Sequence, residues 1–471
     1  MNEIKFGTGG WRAVIADGFT KENLRRLCAG LCQLMRGEGA AQKGVVIGYD
    51  RRFLSHESAM WAAEVFAGHG IPCEVLDREA PTPLIMFTVR EHALPFGLAI
   101  TASHNPAIYN GVKVFTAGGR DATEDVTRRI EACIEGLPAE IPSTAYQTGL
   151  ERGLITQINP LNEYIDSILA LVDTAAIKAA RLKVALDPMY GVSRTSLQTI
   201  LMTARCDVDV IHERHDTLFG GRLPAPNVDT LRSLASFVLE NQCDLGVATD
   251  GDADRLGVID DSGMFLHPNK LLVLLYYYLL EYRGWRGPAV RNNSTTHLLD
   301  RVAEAYGQVC HEVPVGFKHI SKRMEETDAL IGGESSGGLT VRGHIQGKDG
   351  IYAATLLCEM VAKTGKRLSA LYAEIEARFG AAYGADADFT MTPERKRALM
   401  ERLMDARNIP AFPYPVERVG MGDGCKVYFA DGSWVICRFS GTEPLLRICA
   451  EAASDERAQS YIALWQQALS L

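Results

Sequence analysis

The position of Ser103 in the sequence suggests that it is a reactive residue. It stands in a polar loop, residues 101–106, directly after the apolar run Phe96–Ile100, which is a pattern typical of a buried strand. Open α/β sheets form their active sites at the carboxyl ends of such strands. Glycines do not flank Ser103 in the Gly-x-Ser-x-Gly arrangement, so the nucleophile elbow of hydrolases does not describe this loop. We therefore expect another part of the chain to activate the serine.

Three aspartates, Asp250, Asp252 and Asp254, alternate along the chain after a second apolar run, Leu245–Thr249. Such a group of carboxylates suits a hard divalent cation. Alternate side chains of a strand face opposite sides, so the three can share one ion only if the segment is a turn. An EF-hand loop needs Glu at its twelfth position, where this chain has Asp261. The remaining alternative is a solvated acidic turn without a metal.

These two loops belong to five motifs that stand in the same order in one known family. The motifs are Phe-Gly-Thr-Gly-Gly-Trp-Arg at 6–12, the serine loop, the aspartate loop at 250–255, Gly-Glu-Ser-Ser-Gly at 333–337 and Arg-Phe-Ser-Gly-Thr-Glu-Pro at 438–444. The chain resembles the α-D-phosphohexomutases, and the resemblance runs nearly from end to end. In that family the active serine carries a phosphate and three aspartates bind magnesium.

The resemblance implies a phosphoryl-transfer role for the serine and aspartate loops. Ser103 is expected to give its phosphoryl group to a sugar hydroxyl. One oxygen of its phosphate would complete the shell of a magnesium ion held by Asp250, Asp252 and Asp254. Positioning and neutralisation of the phosphate oxygens are most of what this reaction needs.

Basic residues near the serine are candidates for proton transfer and phosphate binding. Lys113 and His104 are the nearest candidates for general acid and base, and the sequence leaves open which of them acts. Arg12 and Arg255 are expected to contact the phosphoserine or its product, because guanidinium donors match phosphate oxygens in pairs. Without the resemblance, we would interpret Arg12 as a surface residue and Lys113 as an exposed strand lysine.

The segment 332–338 is a candidate sugar-recognition loop, since glycines bracket it on both sides. In the family, the residues matching Glu334 and Ser336 hold two sugar hydroxyls. Gly338 stands where some members carry His, and Ser335 stands where the phosphoglucosamine enzymes carry Gln. The segment Lys-Asp-Gly that begins at Lys348 resembles the lysine-bearing segment of phosphoglucomutases. These two differences and this one match favour glucose over glucosamine as the sugar.

The motif at 438–444 is a candidate grip for the phosphate that does not react. Backbone N–H groups around Gly441, the hydroxyls of Ser440 and Thr442 and the guanidinium of Arg438 can form an anion cradle, with Arg447 beside it. The alternative is a hairpin end stabilised by local Ser and Thr hydrogen bonds. In the family, this phosphate-binding domain is mobile.

Composition and charge restrict the class of protein. The 471 residues carry a formal charge of −9, with 47% hydrophobic and 23% charged residues, so a nucleic-acid-binding surface is not expected. Eleven cysteines and no apparent secretory leader predict reduced thiols in the cytoplasm. The longest apolar stretch, Leu271–Leu280, is about half a membrane span, so it predicts a buried helix rather than membrane contact. We expect a monomer or a homodimer.

The order of strand and helix patterns predicts the fold class. It is α/β, with three similar α/β domains of mixed or parallel sheets and a smaller C-terminal α+β domain, as in the family. In the first domain, the alternation predicts a parallel sheet covered on both faces, with a strand at 45–49 and a helix over 58–69. A strand at 256–260 is expected to open the third domain, and 380–386 to form a hinge. The expected domains are 1–148 with the serine loop, 155–255 with the metal loop, 256–379 with the sugar loop, and 385–471 with the mobile phosphate site.

The expected function is that of a magnesium-dependent phosphoglucomutase. It would interconvert glucose 1-phosphate and glucose 6-phosphate through glucose 1,6-bisphosphate, which also acts as activator. A phosphomannomutase or a dual-specificity enzyme is the nearest alternative, because a single hydroxyl separates the sugars. A sugar-1,6-bisphosphate synthase, which would need a separate phosphoryl donor, is a further alternative.

Overall fold

A computed structural model describes residues 4–7, 9–404, 409–439 and 445–471 of the chain. Contacts within the chain divide it into two compact units. The first unit combines Met1–Pro268 with Ser336–Ser369, and the second combines Asn269–Ser335 with Ala370–Leu471. Across the described ranges, no helix is both long and apolar enough to cross a membrane.

Strands and helices alternate through the chain as far as Leu266. In order they are β1 (Trp11–Val14), α1 (Lys21–Gly37), β2 (Val45–Tyr49), α2 (Ser55–Gly68), β3 (Cys73–Leu76), α3 (Thr82–Glu91), β4 (Phe96–Ile100), β5 (Tyr109–Thr116), β6 (Arg120–Asp121), α4 (Glu124–Glu135), α5 (Tyr146–Glu151), β7 (Ile155–Ile158), α6 (Leu161–Leu171), α7 (Thr174–Ala180), β8 (Lys183–Asp187), α8 (Arg194–Thr203), β9 (Asp207–Val210), α9 (Arg232–Glu240), β10 (Leu245–Thr249), β11 (Leu256–Ile259) and β12 (Phe265–Leu266).

The remaining elements change from α/β alternation to a strand-rich end. They are α10 (Pro268–Glu281), β13 (Ala289–Asn292), α11 (Leu298–Ala305), β14 (Cys310–Val313), α12 (Phe317–Thr327), β15 (Ile331–Gly333), β16 (Leu339–Val341), α13 (Gly350–Thr364), α14 (Leu368–Phe379), β17 (Tyr383–Thr390), α15 (Pro393–Met404), β18 (Val416–Gly420), β19 (Cys425–Phe429), β20 (Trp434–Phe439), β21 (Leu445–Ala452) and α16 (Asp455–Leu469).

The first sheet has the strand order β1-β5-β4-β2-β3-β7. Strands β4, β2, β3 and β7 pair in parallel, but β5 pairs antiparallel with both β4 and β1. The first sheet is therefore mixed, whereas the alternation of elements alone predicted a parallel one. The serine loop is short, so it lets β5 return directly alongside β4, whereas a parallel neighbour would need a long crossover.

Two predicted domain boundaries do not match the sheets. Strand β7, placed in the second domain by the sequence analysis, pairs with β3 in the first sheet. Strand β11, expected to open the third domain, pairs antiparallel with β10, so it belongs to the second sheet, whose order is β12-β11-β10-β8-β9. In both cases an edge strand joins a sheet already formed by earlier strands, which a linear pattern does not reveal.

The third sheet contains the parallel strands β14, β13 and β15 in that order. The fourth is antiparallel, with the order β17-β21-β20-β19-β18. Strand β17 pairs with β21 from Tyr383 to Thr390, so it begins inside the segment predicted as a hinge. The second half of that segment is therefore paired strand. Three mixed or parallel sheets followed by an antiparallel one confirm the predicted fold class.

Several local predictions hold because the sequence encodes them directly. The hydroxyl of Thr20 caps α1 by accepting from the N–H of Asn23 at 3.2 Å. Strand β2 has the predicted bounds, and Leu271–Leu280 forms the buried part of α10. Helix α2 begins at Ser55 rather than at 58.

Candidate active site

Ser103 lies just beyond β4, and the chain holds it in an unusual backbone conformation. Its φ is +53°, in the left-handed region that residues with a side chain rarely adopt. The N–H of Ser103 donates to the hydroxyl of Thr101 at 2.8 Å, and that hydroxyl donates to Asp50 at 2.6 Å. Ser103 is 1% exposed. A fixed network therefore presents the serine, which is a pattern often found at functional sites.

Arg52 fixes the backbone of the serine loop through hydrogen bonds. Its guanidinium donates to three carbonyl oxygens of the loop, those of Ser103 at 2.6 Å, Asn105 at 2.7 Å and Pro106 at 2.9 Å, and to that of Tyr109 at the start of β5 at 3.1 Å. Asp50 lies 3.3 Å from the Nε of Arg52 and accepts from its backbone N–H at 2.9 Å. Both residues follow β2, which pairs with β4. Neighbouring strand ends therefore supply the serine and its support.

The three aspartates lie at the carboxyl end of β10 and are 0–1% exposed. The segment is a turn, because the N–H of Ala253 donates to the carbonyl of Asp250 at 3.0 Å and Ala253 has a φ of +63°. One carboxylate oxygen of each aspartate, Asp250, Asp252 and Asp254, lies within 4.8 Å of the others. Within the described part of the chain, this is the one group of acidic, His or Cys side chains placed to hold a metal ion.

The serine and aspartate loops meet although they are far apart in sequence. The Oγ of Ser103 donates to Asp250 Oδ2 at 2.7 Å, and His104 Nδ1 lies 3.3 Å from the same Oγ. A Cβ on Gly251 would lie 2.8 Å from the carbonyl oxygen of Ser103. The close approach of the two loops therefore requires glycine at this position.

Lysines partly neutralise the aspartates. Lys113 on β5 is 3% exposed, and its ammonium donates to Asp252 at 2.5 Å and to Asp254 at 2.7 Å. The ammonium of Lys348 lies 2.9 Å from the same oxygen of Asp254. Thr82, at the start of α3, donates to Asp252 at 2.7 Å. The interpretation of Lys113 as an exposed strand lysine is therefore wrong.

Burial and neighbouring charges separate the protonation behaviour of these groups. Burial, together with repulsion from the other two aspartates, raises the pKa of Asp250 to about 8. Burial also acts to raise the pKa of Asp254, but Lys113 and Lys348 outweigh it and hold that pKa well below its usual value. Burial and the charge of Arg255 lower the pKa of His104. The site thus combines a neutral imidazole with a carboxylate held ionised.

The donor set fits a divalent cation. Asp252 Oδ1 and Asp254 Oδ1 are buried, and in the described structure neither has a hydrogen-bond partner. An unsatisfied buried carboxylate oxygen is costly unless a cation or a donor approaches it. Oxygen ligands gathered in a rigid turn are what magnesium takes from proteins. The arrangement supports the metal-site hypothesis for Asp250, Asp252 and Asp254.

The two arginines near the serine lie in the same cluster. Arg12 on β1 is half-buried, and its guanidinium donates to the side chain of Asn105 in the serine loop at 2.7 Å. The backbone N–H of Arg255 donates to Asp250 at 3.0 Å, and its Nε lies 3.9 Å from Asp254. Both guanidinium groups therefore lie beside the loops that hold Ser103.

The two residues predicted to bind the sugar, Glu334 and Ser336, differ in exposure. Glu334 follows β15 in the second unit, is 8% exposed, and accepts from the side chain of Asn292 and the N–H of Gly316, both at 3.1 Å. Ser336 is exposed and belongs to the first unit. Their joint role with a sugar remains a prediction.

The predicted phosphate grip is only partly described. Ser440, Gly441 and Thr442 lie outside the described residues. Arg438 and Arg447 stand opposite each other on β20 and β21. Arg438 Nε donates to Asp423 at 2.9 Å, and Arg447 Nε lies 3.4 Å from Asp388. Arg438 therefore uses its only Nε hydrogen on Asp423.

Sequence reasoning missed the residues that support the reacting groups. They are Asp50, Arg52, Thr82, Thr101 and Asn105, which contact the serine loop or the aspartates. A signal for two of them was present, because the charged segment 50–52 follows a buried strand as the serine loop does. Thr82 had no such signal, since its partner Asp252 lies 170 positions away.

Comparison with known proteins gives the same assignment along most of the chain. The chain matches the phosphoglucomutase/phosphomannomutase family as alpha/beta/alpha domain I over residues 3–139, domain II over 162–263, domain III over 267–379 and the C-terminal domain over 372–464. The second match includes β11, which agrees with the pairing of that strand.

Similar proteins of comparable length support this match. A phosphoglucomutase/phosphomannomutase from Thermococcus kodakarensis is 30% identical over 98% of this chain and 97% of its own length. A probable phosphoglucosamine mutase from Methanothermobacter thermautotrophicus is 31% identical over 96% of this chain and 95% of its own length. The crystal structure of a putative phosphomannomutase from Thermus thermophilus is 31% identical, covers 99% of both chains and has a TM-score of 0.85. The chain belongs to the phosphoglucomutase/phosphomannomutase family, within the α-D-phosphohexomutase superfamily.

Proposed function

We propose that the protein is a phosphoglucomutase that interconverts glucose 1-phosphate and glucose 6-phosphate through a phosphoserine at Ser103. The contact that carries this proposal is the 2.7 Å hydrogen bond from Ser103 Oγ to Asp250, inside a buried carboxylate cluster that keeps unsatisfied oxygens. A hydroxyl in this position can hold a phosphoryl group against the same acidic cluster. Membership of the family makes the protein a phosphohexomutase, an isomerase that moves a phosphoryl group within one sugar.

The proposed reaction moves phosphoryl groups between Ser103 and the sugar with no net gain or loss. Phosphorylated Ser103 gives it to the free hydroxyl of glucose 1-phosphate, which breaks the serine O–P bond and forms glucose 1,6-bisphosphate. The bisphosphate then returns its other phosphoryl group to Ser103 and leaves as glucose 6-phosphate. In each half-reaction the attacking hydroxyl loses a proton and the departing oxygen gains one. His104, whose Nδ1 lies 3.3 Å from Ser103 Oγ, and Lys113 are the candidates that would carry it.

The other residues of the cluster hold charge and exclude water. Asp250, Asp252 and Asp254 would hold magnesium, which when bound supplies positive charge to the phosphoryl oxygens. Lys113 keeps its ammonium between two of these carboxylates. Because Ser103 is 1% exposed, the site limits access of water to the phosphoserine and so disfavours its hydrolysis.

The choice of glucose rests on residues in and beside the sugar loop. Lys348 matches the pattern expected for phosphoglucomutases, and Gly338 departs from members that carry His at this position, whereas the similar proteins include ones named for glucosamine and mannose. A phosphomannomutase or dual-specificity enzyme is the second candidate. A sugar-1,6-bisphosphate synthase is the third, and it would need a separate phosphoryl donor.

A coupled assay tests the proposal. The wild-type protein with magnesium and a trace of glucose 1,6-bisphosphate should convert glucose 1-phosphate faster than mannose 1-phosphate. Mass spectrometry should find phosphate on Ser103, and Ser103→Ala should remove turnover while leaving the thermal midpoint within about 2 °C, since the residue lies in a loop. Substantial mutase activity in that variant would exclude the mechanism, and faster conversion of mannose 1-phosphate would favour the second candidate.

We further propose that Arg438, with Ser440, Gly441, Thr442 and Arg447, holds the phosphate that does not react. The support is the fork of Arg438, fixed through its Nε by Asp423. Arg438→Ala should lower kcat/KM by about a hundredfold, as expected for losing charge-assisted hydrogen bonds to phosphate. Magnesium affinity, measured by calorimetry, should stay unchanged. An Arg438→Ala enzyme with the wild-type rate would place the phosphate elsewhere.

A further inference from the structure

Asp423, in the turn between β18 and β19, joins the third and fourth sheets within the second unit. Its Oδ1 accepts from Arg438 Nε at 2.9 Å, and its Oδ2 accepts from the backbone N–H of Val315 at 2.8 Å. The side-chain amide of Asn293 donates to its carbonyl oxygen at 3.2 Å and to Oδ2 at 3.4 Å. Asn293 and Val315 follow β13 and β14, so one residue connects two strand ends of the third sheet to an arginine of the fourth.

Two consecutive asparagines after β13 divide between Asp423 and the predicted sugar loop. Asn293 donates to Asp423, whereas Asn292 donates to Glu334 Oε1 at 3.1 Å. The side-chain oxygen of Asn292 is itself fixed, because it accepts from the N–H of Ser294 at 2.9 Å. The loop after β13 therefore holds Asp423 and Glu334 through adjacent residues.

Two consecutive backbone N–H groups before α12 divide in the same way. The N–H of Val315 donates to Asp423, and the N–H of Gly316 donates to Glu334 Oε1 at 3.1 Å. Gly316 has a φ of +125°, a conformation that favours glycine. A second loop thus fixes the same two carboxylates, and together the two loops set the position of Asp423 relative to Glu334.

The turn that carries Asp423 packs directly on β20. A Cβ atom on Gly424 would lie 2.6 Å from the carbonyl oxygen of Cys437 and 3.0 Å from Cα of Arg438. The side chains of Arg438 and Asp423 are only 14% and 23% exposed. Their ion pair is therefore partly shielded from water, which screens it less than a pair on the open surface.

A hydrogen bond at Nε fixes the plane of a guanidinium group. That plane decides whether the group can meet two oxygens of a phosphate at once, since its donors form a rigid, flat fork. Asp423 cannot bind a phosphate itself, because both are anions. Any effect of Asp423 on phosphate binding must therefore act through Arg438.

We propose that Asp423 is a positioning residue for phosphate binding. It fixes the guanidinium of Arg438 to the loops that hold Glu334, so the phosphate that does not react is bound at a set separation from the sugar loop. The proposal rests on the proposed function, in which Arg438 binds this phosphate.

Calorimetry on a protein that cannot react tests the proposal without turnover. Glucose 6-phosphate is titrated into Ser103→Ala protein that also carries Asp423→Ala, Arg438→Ala, both or neither. Asp423→Ala should raise Kd by about tenfold, because a misaligned guanidinium loses charge-assisted hydrogen bonds. In the Arg438→Ala background the same change should raise Kd by less than about twofold, since the residue it acts on is gone. Equal losses in both backgrounds would overturn the positioning role.

Asp423→Asn separates a bridging role from packing. The carboxamide has nearly the size of the carboxylate, but its NH2 group would face either Arg438 Nε or the N–H of Val315, which are both donors. Kd should therefore rise by about threefold or more, the effect of losing one hydrogen bond. An unchanged Kd in this variant would show that Asp423 only fills space.

Asp431→Ala is the matched control. Asp431 lies in the next turn of the same sheet, pairs with Arg457 at 2.6 Å and accepts from the N–H and hydroxyl of Ser433. Its removal should reduce stability but leave Kd unchanged. An equal rise of Kd in Asp431→Ala and Asp423→Ala would reduce the effect to general loosening of the sheet.

Turnover gives an independent measurement. Asp423→Ala should raise KM by about tenfold and change kcat less, because the contact with this phosphate is the same in the ground and transition states. Partial unfolding would instead lower kcat at unchanged KM, and that result would contradict the proposal. If Ser103→Ala protein bound no hexose phosphate, the proposed function would fail and the positioning role with it. Loss of affinity in Arg438→Ala but not in Asp423→Ala would refute the positioning role alone.

Discussion

Two clusters of charge, each built around a buried lysine, occur in different units of the chain. The first, in the unit with Ser103, joins the three aspartates to Lys113 and Lys348. The second, the Glu312 cluster, consists of Arg291, His297, Asp300, Glu312 and Lys426. Each contains a lysine that is 3% exposed and pairs with a carboxylate at 2.5–2.7 Å. Burial of charge alone therefore does not separate a reactive site from a structural one.

The clusters differ in whether their carboxylate oxygens are satisfied. In the Glu312 cluster, one oxygen of Glu312 accepts from Arg291 and Lys426 and the other from the hydroxyl of Tyr428. Both oxygens of Asp300 accept from Arg291, at 2.6 and 2.8 Å. In the Ser103 cluster, Asp252 and Asp254 each retain a buried oxygen that no donor reaches in the described structure. Spare ligand atoms beside a strained serine, rather than charge, mark the reactive site.

The two lysines also respond oppositely to burial. Burial and the charge of Arg291 lower the pKa of Lys426 to about 7, against the effect of Glu312. Burial acts on Lys113 in the same direction, but two carboxylates outweigh it and raise its pKa. The surplus of negative charge in the Ser103 cluster is what a bound cation would balance.

Removing one carboxylate of the Ser103 cluster should have the largest effect on activity. Asp252→Asn removes a charge that Lys113 and Thr82 both contact, so mutase turnover should fall by about a thousandfold or more. Magnesium affinity, measured by calorimetry, should fall with it. Asp207→Asn, an exposed aspartate on β9, is the control. Full activity of Asp252→Asn in excess chelator would show that the spare oxygens do not serve a metal.

Weakening the support of the serine loop should have a smaller effect. Arg52→Lys replaces a guanidinium that reaches four carbonyl oxygens with an ammonium that cannot reach them all. We expect kcat to fall by about a hundredfold, because small misplacement of a reacting group costs that much, and added guanidinium ion to restore part of it in Arg52→Ala.

Arg51→Lys is the matched control for this experiment. Arg51 is similarly buried, at 8% exposed, but it contacts Glu79 and the carbonyl of Glu213 instead of the serine loop. Equal losses of kcat in the two lysine variants would contradict a specific role for Arg52.

Removing a charge from the Glu312 cluster should reduce stability rather than catalysis. Glu312→Gln leaves Arg291 and Lys426 with one fewer anion, so the free energy of unfolding should fall by about 2–4 kcal/mol. The kcat of the folded fraction should change less than about twofold. Urea unfolding and the coupled assay measure the two effects. A selective loss of kcat without destabilisation would show that this cluster also takes part in the reaction.

The smallest effect is expected from Lys426 and should appear as pH dependence. Its pKa of about 7 in the folded chain lies below the ordinary value near 10.4. Between those values the unfolded chain binds more protons, so stability rises with pH. The free energy of unfolding of wild type relative to Lys426→Met should increase by at most about 1.4 kcal/mol per pH unit in that window. A difference that is flat from pH 7 to 9 would contradict the lowered pKa.

The local elements and the identity of the reactive loops could be predicted from the sequence. Apolar runs predicted β2, β4 and β10, and the polar residues that follow them placed Ser103 and Asp250 at strand ends. Such signals lie within a few residues of each other, because strand periodicity and turn chemistry are local properties. Two predicted domain boundaries did not match the sheets, and β17 overlaps the predicted hinge, because edge strands pair with partners far away in sequence.

The sequence by itself determined the residue types at the site and the fold class, since a run of side chains decides which face of each element is buried. Only the tertiary structure decided which residues meet. It placed Thr82 on Asp252, Arg52 under the serine loop and Asp423 on Arg438. It also left two carboxylate oxygens unsatisfied. Contacts of this kind depend on distances of a few ångströms between distant segments, and packing of the whole domain sets those distances.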